Sequence, residues 1–170
     1  MFNPLSTKDS ALQIALRLEG QDLSNLCEVN DQLQEWICNN GIFWNQKIKR
    51  DFNIDTYKVL EGGGTSDDYR FLYNSQGKDL NDLLIEESSL GNINHIKLLL
   101  EKGADIHAEN DGALRWAAAY GHRDVVELLL EKGANIRAEN DSALRRAAVN
   151  GYRDVVELLL KRGANPDVLN

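Results

Sequence analysis

Hydrophobic and polar residues repeat with a period of 30 along the second half of the chain. The stretch Glu109–Leu130 reads ENDGALRWAAAYGHRDVVELLL and Glu139–Leu160 reads ENDSALRRAAVNGYRDVVELLL, with 17 of 22 positions identical. A degraded third copy lies upstream, where Gly91–Gly103 (GNINHIKLLLEKG) matches the later GHRDVVELLLEKG. Self-similarity on this scale is typical of a stacked array, in which one unit cannot bury its own apolar face.

Each unit of the repeat has the pattern of two helices joined by a tight turn. In the first of the two best copies, Asp111 is placed to cap a short helix over about Ala113–Tyr120, which Gly121 ends. A second helix then carries Asp124 in its first turn, an apolar stripe through its middle and Lys132 at its end, in agreement with the helix dipole. The equivalent positions in the next copy are Asp141, Ala143–Asn150 and Gly151.

The first half of the chain shows helical patterns without a repeat. Helices are predicted to begin near Ser6, Asp22, Asp31 and Ile42. The run EGGGTS predicts a flexible break, after which Thr65 and Asp68 can cap a last helix. We therefore predict an all-α chain with a small helical domain over residues 1–61, a linker and capping helix over 62–77, and a three-repeat solenoid over 78–170.

The charge balance argues against two classes of partner. Lys and Arg number 19 against 27 for Asp and Glu, a net charge of -8, so the field of the protein repels nucleic-acid phosphate and anionic lipid. No apolar run approaches the roughly 18 residues of a membrane span, and Met1–Ser10 lacks the order of a secretory signal. We therefore expect an intracellular protein that binds neither nucleic acid nor membrane. Cys27 and Cys38 are too few for a disulfide scaffold and are expected to be reduced thiols.

The sequence also lacks a recognisable catalytic or metal-binding motif. His95, His107 and His122 have no cysteine or carboxylate at ligand spacing. The glycines Gly62–Gly64 are followed by acids rather than by the Gly-Lys-Ser/Thr of a phosphate loop. No serine or cysteine stands in a nucleophile motif. We therefore predict that the protein is not an enzyme and holds no metal or cofactor.

The pattern AxxGHxxVVxLLxxGA in the second half resembles the ankyrin repeat, and GADIHAEND and GANIRAEND resemble its projecting loop. The resemblance covers roughly Lys78–Asn170. The period is about three residues shorter than usual, and Gly-Ala-Leu-Arg or Ser-Ala-Leu-Arg replaces the Thr-Pro-Leu-His opening of the first helix. The resemblance implies a short-fingered solenoid that binds protein. Short repeats with the phrase AENDxALRxA are similar to those of ankyrin proteins abundant in giant DNA viruses.

The N-terminal order IALRLEGQDLSNLCEVNDQL, then FW, then KIKRDF, resembles the F-box, a three-helix module that docks on the Skp-family adaptor of cullin–RING ubiquitin ligases. The resemblance covers about Asn3–Phe52, with its start displaced upstream. It implies an adaptor-binding surface of Pro4, Leu5, Leu12, Leu16 and Leu23. The leucines serve equally well as the core of a small helical domain, in which case only Pro4, Leu5 and the outward-facing leucines contact an adaptor. F-box-like heads before ankyrin repeats recur in the viral group and in some intracellular bacterial effectors, which implies a host-directed role.

The two best copies differ at five positions, four of which share one face of the first helix. The five pairs are Gly112/Ser142, Trp116/Arg146, Ala119/Val149, Tyr120/Asn150 and His122/Tyr152. In ankyrin arrays the first helices and the loop tips line the concave surface. The resemblance therefore predicts partner-binding residues on that surface, namely Glu86, Trp116, Tyr120, Arg146 and Asn150 on the helices and His107 and Arg137 at the loop tips. Trp and Arg are enriched in binding hot spots, which favours a binding surface. The alternative is that these positions vary between the copies only because a solvent-exposed face tolerates sequence drift.

The last repeat has the apolar pattern of an internal one, although solenoids normally finish on a polar face. Asp154–Leu160 (DVVELLL) is identical to Asp124–Leu130, so we expect part of this segment to be exposed. The side chains concerned are Val156, Leu159 and Leu160, unless Val168 and Leu169 cover them. An exposed apolar patch of this kind predicts a weak homodimer through the C-terminal repeat.

Two classes of function follow from these features. In the first, the chain is the substrate receptor of a Skp–cullin ubiquitin ligase, in which the F-box-like head recruits the ligase and the ankyrin array holds the target. In the second, it is a non-enzymatic ankyrin scaffold or a competitive blocker of a host protein, with no link to ubiquitin. Both place the protein in the cytoplasm or nucleus of a host cell.

Overall fold

The computed structural model describes Ala15, Arg17 and residues 41–60 and 64–169, and the chain divides into two compact units, 1–76 and 77–170. The regular elements in the described ranges are all helical, which confirms the predicted all-α class. None of the helices in these ranges is long and apolar enough to cross a membrane. The predicted adaptor-binding residues Pro4, Leu5, Leu12, Leu16 and Leu23 lie outside the described residues. So do the helices predicted near Ser6, Asp22 and Asp31, apart from Ala15 and Arg17, which are helical.

The described part of the first unit contains three helices around an aromatic core. They are α1 (Gly41–Phe52), α2 (Thr56–Val59) and α3 (Ser66–Asn74). Trp44 is 2% exposed and its ring lies 5.1 Å from that of Tyr69 on α3, so it is a core residue. Lys47 is fully buried because its ammonium pairs with Asp51 at 2.8 Å, one helical turn on.

The predicted cap of α3 is present. The backbone N–H of Asp68 donates to Oγ1 of Thr65 (3.3 Å), and Oδ2 of Asp68 accepts from the backbone N–H of Thr65 (2.9 Å). Two amides at the start of the helix are thereby satisfied, as in a capping box.

The second unit consists of three helix pairs. The first helices of the pairs are α4 (Leu80–Leu90), α6 (Ala108–Tyr120) and α8 (Ala138–Val149). The second helices are α5 (Ile93–Glu101), α7 (Arg123–Glu131) and α9 (Arg153–Lys161), and a short 3-10 helix, Pro166–Leu169, follows. The first helix α6 packs between α4 and α8, and each first helix also packs on its own second helix.

The core of the array repeats with the period of the sequence. Leu84, Leu114 and Leu144 occupy equivalent positions on the three first helices and are at most 1% exposed. On the second helices, Leu99, Leu129 and Leu159 are fully buried. Ala117 and Ala147 are also fully buried, since a small side chain at this position lets neighbouring helices approach closely. The array therefore holds together by stacking identical apolar positions from one repeat to the next.

A left-handed turn precedes the regular part of α6 and of α8. Glu109, Asn110 and Asp111 have φ angles of 53°, 53° and 57°, and the same sequence 30 residues later repeats the conformation. Such a run is unfavourable for residues with a Cβ atom. The side chain of Arg115 stabilises it by donating from Nε to the carbonyl of Asn110 (3.1 Å) and from Nη2 to that of Glu109 (2.6 Å). Arg145 makes the same two contacts in the next repeat, which explains the shared phrase ENDxALR.

The prediction that Asp111 and Asp141 cap the first helices is wrong. An N-cap residue has an extended backbone, whereas these two aspartates have left-handed φ angles of 57° and 54°. Their carboxylates reach into the loop that follows the second helix. Oδ1 of Asp111 accepts the backbone N–H of Asn135 (2.7 Å), and Oδ1 of Asp141 accepts that of Asn165 (2.8 Å).

The same contact joins the ends of the first repeat. Oδ1 of Asn81 accepts the backbone N–H of Asp105 at 2.8 Å, again 24 residues along the chain. In all three repeats, a side-chain oxygen at position 81, 111 or 141 accepts the backbone N–H of the residue 24 positions later. We call this contact the carboxylate clasp, and in the first repeat the amide oxygen of Asn81 takes the place of the carboxylate. It fixes each loop to the start of its own first helix.

The C-terminal end of the array is exposed in part, as expected. Leu160 is 36% exposed and Val156 is half-buried, while Leu169 of the 3-10 helix is 42% exposed. The exposed part consists of Leu160 and, in part, Val156, whereas Leu159 is fully buried. Its equivalents Leu99 and Leu129 are fully buried too, so this position faces the interior of its own repeat rather than the next one.

Candidate functional site

Equivalent positions of the three first helices form an exposed face of the array. Glu86 on α4, Trp116 on α6 and Arg146 on α8 share one register position. Tyr120 lies one turn further along α6, and the equivalent Asn150 is the C-terminal cap of α8. Trp116 is 37% exposed and Tyr120 is 51% exposed, which is high for aromatic side chains. We call these five residues the strip, and the surface that carries them the first-helix face.

Three side chains of the strip stack on one another across two repeats. The rings of Trp116 and Tyr120 are nearly parallel, at 19°, with centroids 5.8 Å apart. The guanidinium carbon of Arg146 lies 5.1 Å from the centroid of the Trp116 ring, within the range of a cation–π contact. Nε of Arg146 also donates to Oγ of Ser142 (3.1 Å). These contacts hold the arginine and both rings in place before any partner arrives.

Asn150 is exposed, and its side chain also forms a hydrogen bond between two first helices. Its Nδ2 donates to the backbone carbonyl of Ala119 on α6 at 2.7 Å. The side chain therefore ties α8 to α6 at the edge of the face, and one of its hydrogen-bonding groups is already occupied.

The two predicted loop-tip residues are exposed, and each contacts its own array. Nδ1 of His107 lies 3.1 Å from Oδ1 of Asp111, and Nη2 of Arg137 donates to the backbone carbonyl of Gly163 at 3.0 Å. Both side chains therefore help to hold the loops. Among the described residues, the stacked part of the candidate site is confined to the strip and does not include these loops.

Two exposed apolar residues of the same face were not predicted. Leu90 is 58% exposed and Val149 is 86% exposed. The period of 30 places Leu90 in register with Tyr120, so the repeat itself could have identified it. Val149 stands among the differences between the two best copies, which is the signal that located its neighbours.

A buried polar cluster in the first repeat was also missed. Glu87 is 8% exposed and occupies the position of Ala117 and Ala147. Its Oε2 accepts a hydrogen bond from Nδ2 of Asn92 (2.6 Å) and lies 2.8 Å from Nδ1 of His95. Burial acts to raise the pKa of Glu87, but the contacts with His95 and Asn92 hold this pKa below its ordinary value. No set of three potential ligand residues for a metal ion occurs within the described ranges.

A family model for ankyrin repeats, containing three copies, matches residues 71–170. The chain belongs to the ankyrin-repeat family. The match confirms the resemblance drawn from AxxGHxxVVxLLxxGA and the number of repeats, and it begins within α3. Since ankyrin repeats are in general interaction scaffolds, the ankyrin array is a protein–protein interaction module. A search of curated proteins found no match.

Proposed function

We propose that the ankyrin array captures a protein segment on its first-helix face, with the strip as the centre of contact. The observation that carries this proposal is the stack of Arg146, Trp116 and Tyr120. Trp116 and Tyr120 are exposed, and the stack is held by contacts within each first helix and by the contact of Arg146 with Trp116 between repeats. Prior ordering reduces the entropy that a side chain loses when it binds. Large aromatic residues and arginine are also the types that dominate binding energy at interfaces.

The test is affinity capture with matched variants of the full chain. Trp116→Ala removes the central ring of the stack and is expected to weaken target binding by about 2 kcal/mol or more, on the scale of a hot-spot truncation. Arg123→Ala is the control, because Arg123 is a partly exposed arginine on the second helix α7, away from the strip. Proteins that wild type and Arg123→Ala retain, and that Trp116→Ala loses, are the candidate targets.

Measured affinities of one recovered target then decide the proposal. Equal affinities for wild type and Trp116→Ala would show that the strip does not bind it. Circular dichroism checks that the Trp116→Ala array remains helical, because a large loss of stability would instead make the ring part of the core. Trp116 has 37% of its surface exposed, so the loss of stability is expected to be small beside that of a core residue.

We further propose that the N-terminal unit recruits a Skp-family adaptor, which would make the chain the substrate receptor of a cullin ubiquitin ligase. The support is the F-box resemblance of about Asn3–Phe52, and the resemblance to viral ankyrin proteins extends the proposal to a target in a host cytoplasm or nucleus. The alternative is a scaffold or competitive blocker with no ubiquitin link. Leu5→Asp is expected to abolish a complex between the chain and a Skp adaptor without unfolding the chain. If wild type forms no complex at micromolar concentration, the ligase role is wrong and the ankyrin role stands.

A further inference from the structure

The charges of the strip lie on opposite sides of its aromatic centre. Glu86 is exposed on α4, Trp116 lies on α6 and Arg146 lies on α8, all in one register. Packed helices are separated by about 8–10 Å, so the acid and the base flank the tryptophan at similar distances. The order of acid, aromatic ring and base is therefore complementary to itself when it is reversed.

A two-fold axis parallel to α6 produces that reversal. The first repeat of one copy then faces the third repeat of the other. Because the axis is parallel to the helices, each residue faces a residue at the same height along the facing helix. Glu86 then faces Arg146 of the second copy, and Trp116 faces Trp116. One turn further on, Leu90 faces Asn150 and the neighbouring Val149. An interface of this kind uses the same patch on both copies, as two-fold dimers do.

The polar groups of the face match what such a partner supplies. Arg146 uses Nε for Ser142 and the plane of its guanidinium for Trp116, which leaves its terminal nitrogens available to a carboxylate. Glu86 forms no ion pair with another described residue. In the reversed arrangement each Glu86 meets an Arg146, so both charges on both copies gain a partner of opposite sign.

We propose that two copies of this chain associate face to face through their first helices. The exposed surface of Trp116, Tyr120, Leu90 and Val149 supplies the driving force, because association removes it from water. The charge pairs select the antiparallel order of repeats, since any register that places like charges opposite each other is repulsive. The dimer covers the face to which target capture is assigned above, but its test involves no target.

The net charge of -8 on each copy opposes association at long range. This repulsion is screened at physiological ionic strength, where the Debye length is about 8 Å. The facing pairs of the strip are closer than that distance and keep their effect. The measurement is therefore made at this ionic strength.

The experiment is analytical ultracentrifugation of the full chain from micromolar concentrations to about 1 mM, a range that covers weak association. Wild type is expected to show a concentration-dependent monomer–dimer equilibrium. Glu86→Arg and Arg146→Glu are each expected to lower the association constant at least tenfold, because each places two like-charge pairs in the interface. An equimolar mixture of the two variants is expected to recover dimers, since every pair in the mixed dimer again has opposite signs.

Each other outcome contradicts the proposal. A wild type that stays monomeric throughout overturns it and leaves target capture untouched. Dimers that survive both charge reversals but are lost in Leu160→Lys place the interface at the C-terminal repeat instead, where Leu160 is exposed. Failure of the mixture to recover dimers, while both variants keep the helical content of wild type, shows that the charges do not face each other.

Discussion

Replacement of Asp111 tests the carboxylate clasp and the left-handed turn at once. This residue is 4% exposed, has a φ of 57°, and accepts the backbone N–H of Asn135 at 2.7 Å. A hydrogen bond to a charged group contributes about 1.5–3 kcal/mol. Left-handed backbone costs an ordinary residue about 1–2 kcal/mol, and aspartate, asparagine and glycine tolerate it better than alanine. Asp111→Ala loses both advantages and is expected to destabilise the array by about 3 kcal/mol.

Two further substitutions at position 111 separate the contribution of the hydrogen bond from that of the left-handed backbone. Asp111→Asn keeps an acceptor oxygen and the tolerance for left-handed backbone, and Asn81 already serves in this way in the first repeat. It is expected to cost no more than about 1 kcal/mol, from the lost charge near a helix N-terminus. Asp111→Gly loses the acceptor but relieves the backbone, so its cost is expected to be about 2 kcal/mol.

The assay is urea denaturation followed by far-ultraviolet circular dichroism. Glu109→Ala is the control, because Glu109 is exposed and shares the left-handed backbone without the clasp. The expected order of destabilisation is asparagine, then glycine, then alanine at position 111, with the control close to wild type. If Asp111→Asn is as costly as Asp111→Ala, the negative charge rather than the acceptor position is what matters, and the clasp as described is wrong.

Two further predictions concern close packing and pH. Gly121 has a φ of 79°, and a Cβ atom there would lie 2.4 Å from the ring of Tyr152, whereas a Cβ atom at Gly151 (φ 81°) meets nothing within 4 Å. Gly151→Ala therefore reports backbone strain alone. Gly121→Ala is expected to lower the unfolding free energy, measured by urea denaturation, by about 2 kcal/mol more than Gly151→Ala does. Equal losses would show that the Tyr152 ring simply moves aside. Because the pKa of Glu87 is lowered in the folded chain, its charge adds stability that is present above the unfolded pKa and is lost as pH falls through the folded pKa. The unfolding free energy of wild type is expected to fall more steeply than that of Glu87→Gln from about pH 5 to pH 3, where glutamates titrate; parallel curves would contradict this reading.

The features that could be predicted from sequence are those encoded by local pattern. The repeat predicted the helix pairs, because apolar side chains at helical spacing must face a neighbour. Thr65 and Asp68 predicted the cap of α3, since both partners lie within one turn. Gly121 predicted the end of α6, because glycine adopts left-handed φ at little cost.

The features that could not be predicted depend on contacts between distant residues. Asp111 looks like a helix cap in the sequence, but its partner Asn135 lies 24 residues away and its backbone is held by Arg115. Glu87 resembles a surface residue in the sequence, and its contacts with Asn92 and with His95 of the next helix compensate for its burial. Tertiary contacts in both cases override the local preference.

The sequence predicted which residues of the candidate site share a face, but it did not predict how their side chains contact one another. Variation between the two best copies located Trp116 and Arg146 on one face, since helical spacing alone determines which positions share a side. The distance of 5.1 Å between the guanidinium carbon of Arg146 and the Trp116 ring depends on how closely α6 and α8 pack. The spacing of residues in the sequence does not specify that packing distance. Leu90 was not predicted, although the period of 30 places it in register with Tyr120.

The central claim is that the ankyrin array holds a partner on the first-helix face, and hydrogen exchange measured by mass spectrometry tests it most directly. The full chain is compared free and bound to a recovered target, at low micromolar concentration so that self-association does not contribute. Slower exchange is expected in α4, α6 and α8, centred on the turn that carries Trp116, with little change in α5, α7 and α9. Protection confined to the second helices, or to the loops around His107 and Arg137, would contradict the account.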